Sequence, residues 1–168
     1  MLVLGDPAAR RPRRVVGIDL GERRIGVALG DVETRTTSPF ATLRRSKSAA
    51  EDAAILSRLA AEQGAEALVV GLPLNMDGSE GLQATRTRAW AEAVAAACGL
   101  PLRYRDERLT SERAERRVGT AGRGRSGGPP SAAQRDAHRA RIDREAAALI
   151  LQDDLDSSIG EDPERKST

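Results

Sequence analysis

The 168-residue sequence has almost no aromatic side chains, since Phe40, Trp90 and Tyr104 are its only three. A platform on which single-stranded bases stack is built from aromatic rings, so the chain has few side chains from which to build this kind of nucleic-acid site. Any nucleic acid that binds the chain must therefore be held mainly through its sugar-phosphate backbone.

Cysteine and long apolar runs are equally scarce. Cys98 is the one cysteine, which excludes an intramolecular disulfide and a metal site built from cysteines. No apolar run is long enough to cross a bilayer, and the short apolar start before Arg10 does not have the form of a signal peptide. We therefore expect a cytoplasmic protein without membrane contacts.

The formal net charge is only +2, but charges of opposite sign are separated along the chain. Arginines cluster at residues 10–14 and from Arg103 to Arg144, whereas acids collect after residue 152. This asymmetry favours a face that binds polyanions and a solvated acidic tail. Ordinary charges on exposed helix faces are the alternative, and they are the commoner explanation for any single arginine.

Apolar runs of strand length alternate with segments of helical periodicity. The predicted strands cover residues 15–20, 25–30, 34–43, 67–71 and 100–104. The predicted helices cover residues 46–63, 79–98, 110–118 and 131–155. Pro39 cannot donate to a neighbouring strand, so the third strand should lie at a sheet edge.

The lengths of the connections predict how these strands pair. Short turns favour an antiparallel meander for the first three strands, whereas helical crossovers make the fourth and fifth strands parallel to the sheet. The expected fold class is α/β, with a five-stranded mixed sheet and helices on both faces. Residues 1–13 predict a flexible basic arm, residues 14–156 one folded domain, and residues 157–168 a disordered tail.

Two acids are expected at the carboxyl edge of this sheet. Asp19 lies in an apolar strand, where a carboxylate is unfavourable unless it is paired or binds a metal. A cap on the following turn at Gly21 is an equally good explanation of Asp19. Glu107 follows the fifth strand, whose carboxyl end should lie on the same edge as that of the first strand. A solvent-facing loop acid is the alternative for Glu107.

The last helix supplies a third acid. Asp143 shares a helical stripe with Ala146, Ala147 and Ile150, which places its carboxylate on or beside the face that packs on the sheet. An ion pair with Arg139, one turn earlier, is the alternative. Three carboxylates brought together repel one another, and a divalent cation removes that cost. An oxygen-only ligand set indicates Mg²⁺ or Mn²⁺, ions that activate water for phosphodiester hydrolysis.

Candidate phosphate contacts surround these acids. The loop from Gly71 to Ser79 precedes a predicted helix, whose free N–H groups favour anions. The side chains predicted to bind substrate are Arg23, Arg24, Asn75, Arg108, Arg123 and Arg125.

Four segments resemble the YqgF family of RuvX-type pre-16S rRNA nucleases and Holliday-junction-resolvase-like proteins. They are Gly17-Ile-Asp-Leu-Gly-Glu-Arg-Arg-Ile-Gly-Val-Ala, Val70-Gly-Leu-Pro-Leu-Asn-Met-Asp-Gly-Ser-Glu-Gly, Asp106-Glu-Arg-Leu-Thr-Ser and Ile142-Asp-Arg-Glu-Ala-Ala-Ala-Leu-Ile-Leu-Gln-Asp. Each segment alone is modest, but four in this order and spacing are highly specific.

The resemblance implies an RNase H-like fold, a divalent metal and a role in maturing the 5′ end of small-subunit ribosomal RNA. It also implies that Asp19, Glu107 and Asp143 take the family's acidic positions, with Asp106 open as a residue that shares the role of Glu107. A four-way DNA junction is the alternative substrate, and its two symmetric cuts would call for a homodimer.

Two other functions stay open. Gly17-Ile-Asp-Leu-Gly also resembles the first phosphate loop of the sugar kinase, actin and heat-shock ATPase clan, but the chain has room for only one of the two lobes that clamp ATP. The second is a module that binds nucleic acid without cutting it, in which the acids would be structural. Cleavage that depends on Asp19 separates the nuclease from this binding module.

Overall fold

The computed structural model describes residues 12–124 and 126–158. Its strands are β1 (Arg14–Leu20), β2 (Arg24–Asp31), β3 (Thr36–Arg44), β4 (Ala67–Leu72) and β5 (Leu102–Asp106). Its helices are α1 (Ala49–Glu62), α2 (Leu82–Cys98), α3 (Thr110–Val118) and α4 (Ala132–Ser157). Most of the predicted basic arm, Arg125 and residues 159–168 of the predicted tail lie outside the described residues.

The five strands form one sheet in the order β3-β2-β1-β4-β5. Strands β1, β2 and β3 pair antiparallel, whereas β4 pairs parallel with both β1 and β5. This arrangement confirms the predicted mixed α/β sheet. The edge position of β3 is also confirmed, and its register with β2 skips Phe40 directly after Pro39.

Alternation along β1 divides its side chains between two apolar layers. Val16 and Ile18 pack in a cluster with α1 and α2, which includes the buried Trp90. Val15 faces the opposite layer, where α4 contributes Ala147 and Leu151. The helices therefore cover both faces, and α4 covers the face on which Gly17 and Asp19 lie.

Helix starts follow capping chemistry with two exceptions. Ser48 caps α1, and Ser131 with Gln134 forms a reciprocal capping box at α4. The predicted start of α2 at Ser79 is wrong, because the Ser79 side chain bonds Asp77 and Asn75, and the helix starts at Leu82. The predicted side-chain cap of α3 at Thr110 or Ser111 is also wrong, since Leu109 holds that position with φ +62°.

The acids at the end of the described chain are not all solvated. Asp154 is fully buried and accepts hydrogen bonds from Arg103 and Arg105, while Asp153 pairs with Arg113. The expectation of a solvated acidic tail is therefore wrong for Asp154. Part of the arginine-rich stretch is occupied by these intramolecular pairs and is not available to a polyanion.

Candidate active site

Two acids meet at the carboxyl edge of the sheet, as their strand positions predict. Asp19 is the penultimate residue of β1, and Glu107 directly follows β5. Strand β4 separates the two strands, and all three run in the same direction. The carboxyl groups of Asp19 and Glu107 are close enough for each to influence the pKa of the other.

Two glycines on the neighbouring strands make room for this arrangement. A Cβ at Gly71 on β4 would lie 2.3 Å from Glu107 Oε2, so the carboxylate occupies the space that a side chain would fill. A Cβ at Gly26 on β2 would lie 2.0 Å from the backbone oxygen of Asp143. Gly26 is also the register partner of Asp19, so its missing side chain lets α4 approach Asp19.

The Asp19–Glu107 pair is electrostatically unfavourable. Burial, opposed in part by the hydrogen bond to Glu107 and aided by repulsion from Asp143, raises the pKa of Asp19 from 3.8 to about 6. Burial followed by repulsion from Asp19 raises the pKa of Glu107 from 4.5 to about 8. Oε2 of Glu107 is buried and receives no hydrogen bond from the described residues. Among the described residues, therefore, no donor compensates a negative charge on this oxygen of the pair.

Asp143 reaches the same region from α4, but its carboxylate is engaged. Arg24 Nε donates to Asp143 Oδ2 at 2.5 Å, and Arg24 Nη1 lies 3.3 Å from Asp136 Oδ1. The sequence offered an ion pair between Asp143 and Arg139 as an alternative. Among the described residues, Asp143 pairs with Arg24 and not with Arg139. Among the described residues, no three acidic, histidine or cysteine side chains are grouped closely enough to hold an ion as they stand.

The donor set nevertheless fits a divalent metal in two respects. Asp19 and Glu107 supply only oxygen atoms, and the buried Oε2 of Glu107 has a lone pair that no described donor uses. Repulsion from the Asp143 carboxylate contributes to the raised pKa of Asp19, so Asp143 lies near the Asp19–Glu107 pair. Asp19 and Glu107 are thus adjacent to each other, whereas the Asp143 carboxylate is paired with Arg24.

Asp106 does not join this cluster. Its carboxylate accepts from the Arg108 backbone N–H at 2.9 Å and from Arg108 Nε at 2.7 Å. These bonds to Arg108 lower the pKa of Asp106, whereas the pKa of the adjacent Glu107 is raised. The two neighbouring acids therefore have opposite environments.

The predicted substrate-binding residues fall into three groups. Arg108 and Asn75 hold the loop between β4 and α2, through Met76 O and Ser79 respectively. Arg24 pairs with the acids of α4. Arg23 and Arg123 are exposed, and Arg125 lies outside the described residues. Their binding roles stay predictions.

Gly26 and Gly71 are the positions that sequence reasoning did not single out. Each is a glycine inside an apolar strand, which is itself a signal of close approach by another group. The ion pairing of Arg24 had no comparable signal, because its partner Asp143 is 119 residues away.

The chain is similar to known proteins over nearly its whole length. A protein of Acidiphilium cryptum named "Putative pre-16S rRNA nuclease" is 40% identical over 155 residues, which cover 91% of each chain. A protein of the same name from an Anaeromyxobacter strain is 44% identical over 143 residues, or 85% of this chain and 96% of that protein.

A solved structure shares the fold at low sequence identity. It is Thermus thermophilus RuvC in complex with a Holliday junction substrate, with a TM-score of 0.52 and 16% identity, covering 88% of this chain and 96% of that one. No helix among the described residues is long and apolar enough to cross a bilayer. The sequence profile of the RuvX family, described as Holliday junction resolvase, matches residues 13–157. This match, together with the two relatives, shows that the chain belongs to the RuvX family.

Proposed function

We propose that the chain is a divalent-metal-dependent endonuclease whose site is formed by Asp19, Glu107 and Asp143. Its proposed substrate is the precursor of 16S rRNA, cut near the 5′ end. The two relatives support this substrate by name. The family description and the RuvC complex support four-way DNA as the second candidate.

The Asp19–Glu107 pair is the observation that carries the proposal. Two carboxyl groups with raised pKa values share a largely desolvated position, and one buried oxygen has no described donor. A purely structural pair would be expected to have a compensating arginine, lysine or backbone donor. Strongly perturbed carboxyl groups at the carboxyl edge of such a sheet are typical of functional sites.

Asp19 and Glu107 would hold the metal together with Asp143. A divalent cation at this position would supply charge stabilisation and water activation for phosphodiester hydrolysis. The Arg24 guanidinium can pair with either Asp143 or a backbone phosphate, because both are oxyanions that accept its N–H donors. When a phosphate takes Arg24, the Asp143 carboxylate is released toward Asp19.

A cleavage assay with two substrates tests the proposal. Purified wild type and Asp19→Asn are each incubated with a precursor 16S rRNA fragment and with a four-way DNA junction. Each mixture is run with Mg²⁺, with Mn²⁺ and with a chelator. We expect metal-dependent cleavage of the rRNA fragment by wild type only.

Each of the other outcomes would change or reject one part of the proposal. Cleavage of the junction alone moves the assignment to the second substrate, and sedimentation should then show a homodimer that can make two symmetric cuts. Cleavage that survives in Asp19→Asn rejects the assigned site. Binding of either substrate without cleavage under all conditions rejects the nuclease and leaves a binding module.

A further inference from the structure

A wide cleft opens beside Asp143 and is separate from the Asp19–Glu107 pair. Its volume is about 1050 Å³, just above the ~300–1000 Å³ typical of ligand pockets. Its walls are the turn between β1 and β2, the end of β3 and the first half of α4. We call it the arginine cleft, because Arg23, Arg24, Arg44, Arg45 and Arg139 all line it.

Only some of these arginines have partners within the described chain. Arg24 is paired with Asp136 and Asp143. Arg45 lies near the buried Asp52 and donates to Gly21 O at 3.2 Å. Arg23, Arg44 and Arg139 are exposed and take part in none of the ion pairs between described residues. Glu22 is the remaining acid of the lining, so an excess of positive charge faces the cleft.

The walls of the arginine cleft are tied to one another. Thr42 Oγ1 donates to Ala140 O at 2.5 Å, which joins β3 to α4. The Arg45 backbone N–H donates to Arg23 O at 2.9 Å, which joins the end of β3 to the turn between β1 and β2. A cleft whose walls are already bonded loses little conformational freedom when an anion binds.

The lining also limits what can be recognised. It contains no aromatic side chain, so stacking on bases is excluded there. Guanidinium groups bind phosphate oxygens and carry no direct base readout in this role. The chemistry of the cleft therefore suits a phosphodiester backbone of any sequence.

We infer that the arginine cleft binds the backbone of the nucleic-acid segment that continues from the scissile phosphate, through Arg44 and Arg139 together with Arg23. The inference rests on the proposed function, because the cleft continues from the proposed cleavage site at Asp143. It adds a second contact region that discriminates structured or extended substrates from short ones, because only a substrate long enough to reach the cleft gains its contacts.

Salt-dependent binding tests this inference. The double variant Arg44→Gln/Arg139→Gln and wild type are titrated against a fluorescent RNA hairpin in chelator, at several salt concentrations. Each lost phosphate contact should lower the slope of log affinity against log salt by roughly one, so the slope should fall by about two. We expect about tenfold or more weaker binding near 0.1 M salt, and the same loss with a hairpin of scrambled sequence.

Two control variants separate charge at the cleft from charge elsewhere. Arg58→Gln/Arg86→Gln removes the same charge from exposed positions on α1 and α2, which pack on the opposite face of the sheet. This control should keep the wild-type slope. Arg44→Lys/Arg139→Lys keeps the charge and should restore most of it.

The inference is overturned if the two glutamine double variants have the same slope, or if the lysine variant fails to restore binding although it is folded. Circular dichroism melting of every variant shows whether a loss of binding comes from unfolding. If the glutamine variant is unfolded, the binding of the folded lysine variant decides whether the inference holds. Binding is measured in chelator and does not require cleavage. A wild-type protein that cleaves neither RNA nor DNA would therefore reject the proposed function and leave the binding result unchanged.

Discussion

Two groups of buried acidic side chains in this protein differ in whether arginines compensate their charge. Asp154 on α4 is fully buried and receives three hydrogen bonds from Arg103 and Arg105. Asp19 and Glu107 are also withdrawn from water, but they face each other, and no described cation lies between them. The first group stabilises the fold, whereas the second leaves an unfavourable charge that a ligand can compensate.

The contrast is sharpest for Glu107→Gln, which should abolish function and spare the fold. We expect cleavage to fall by on the order of 10³-fold, about 4 kcal/mol of transition-state stabilisation, because one ligand of the proposed metal is lost. The melting temperature in chelator near neutral pH should stay equal or rise, since Gln is neutral without the bound proton that the raised pKa of Glu107 requires in the folded state. Single-turnover cleavage and thermal melting measure the two effects.

Glu112→Gln is the matched control for this prediction. Glu112 lies on the exposed side of α3, and among the described residues its ion-pair partner is Arg116, one turn later. It should cleave and melt like wild type. A Glu107→Gln protein that keeps its activity, or that unfolds well below wild type, would assign Glu107 to the structural group with Asp154.

Asp154→Ala should reverse that pattern. Removing one partner of a buried ion pair costs about 3 kcal/mol or more, because the guanidinium groups of Arg103 and Arg105 lose their acceptor. Urea unfolding should show this loss, whereas Asp156→Ala, at an exposed position two residues later, should change the free energy of unfolding by less than about 0.5 kcal/mol. Equal effects of the two variants would contradict the structural role of Asp154.

Gly71→Ala tests whether the space beneath Glu107 matters for activity. The added Cβ would lie 2.3 Å from Glu107 Oε2 and 2.5 Å from Ile150 Cδ1, so the carboxylate must move. A displacement of about 1 Å can cost on the order of 10²-fold in rate, and we expect a loss of that size in single-turnover cleavage. Gly122→Ala, where a Cβ meets nothing within 4 Å, serves as the control and should have no effect.

Arg24→Gln should convert Asp143 from a paired acid into a free ligand. Without nucleic acid, we expect Mn²⁺ to bind this variant about tenfold more tightly than wild type, a coupling of about 1.4 kcal/mol. Cleavage should nevertheless fall, because the phosphate contact is lost. Calorimetric titration of Mn²⁺ measures the affinity, with Arg58→Gln as the control; weaker Mn²⁺ binding to Arg24→Gln would reject the release of Asp143.

The raised pKa values also predict a difference in pH dependence. The pKa values of Asp19 and Glu107 are raised to about 6 and about 8, so the folded state holds protons that the unfolded state releases from about pH 4 upward. These groups therefore lower the stability as pH rises toward 8. Wild type in chelator should lose more stability between pH 5 and pH 8 than Glu107→Gln does. An identical loss would show that the pair is not coupled to folding.

Local patterns were sufficient to predict the elements and the positions of two of the three acids of the proposed site. The spacing of apolar residues and the helical crossovers predicted all nine described elements and placed Asp19 and Glu107 on one edge of the sheet. These features depend on side-chain periodicity and connection length, which are properties of short segments. Helix starts were less certain, because Ser79 bonds its own loop and does not cap α2.

The sheet, its two apolar layers and the strand ends from which Asp19 and Glu107 project could all be predicted from local sequence patterns. Which charges are compensated depends on the folded chain. Arg24 pairs with Asp143, Arg103 and Arg105 pair with Asp154, and no described residue donates to the buried Oε2 of Glu107. The reason is that an arginine can pair with any nearby acid, and its choice depends on distances between residues tens to more than a hundred positions apart.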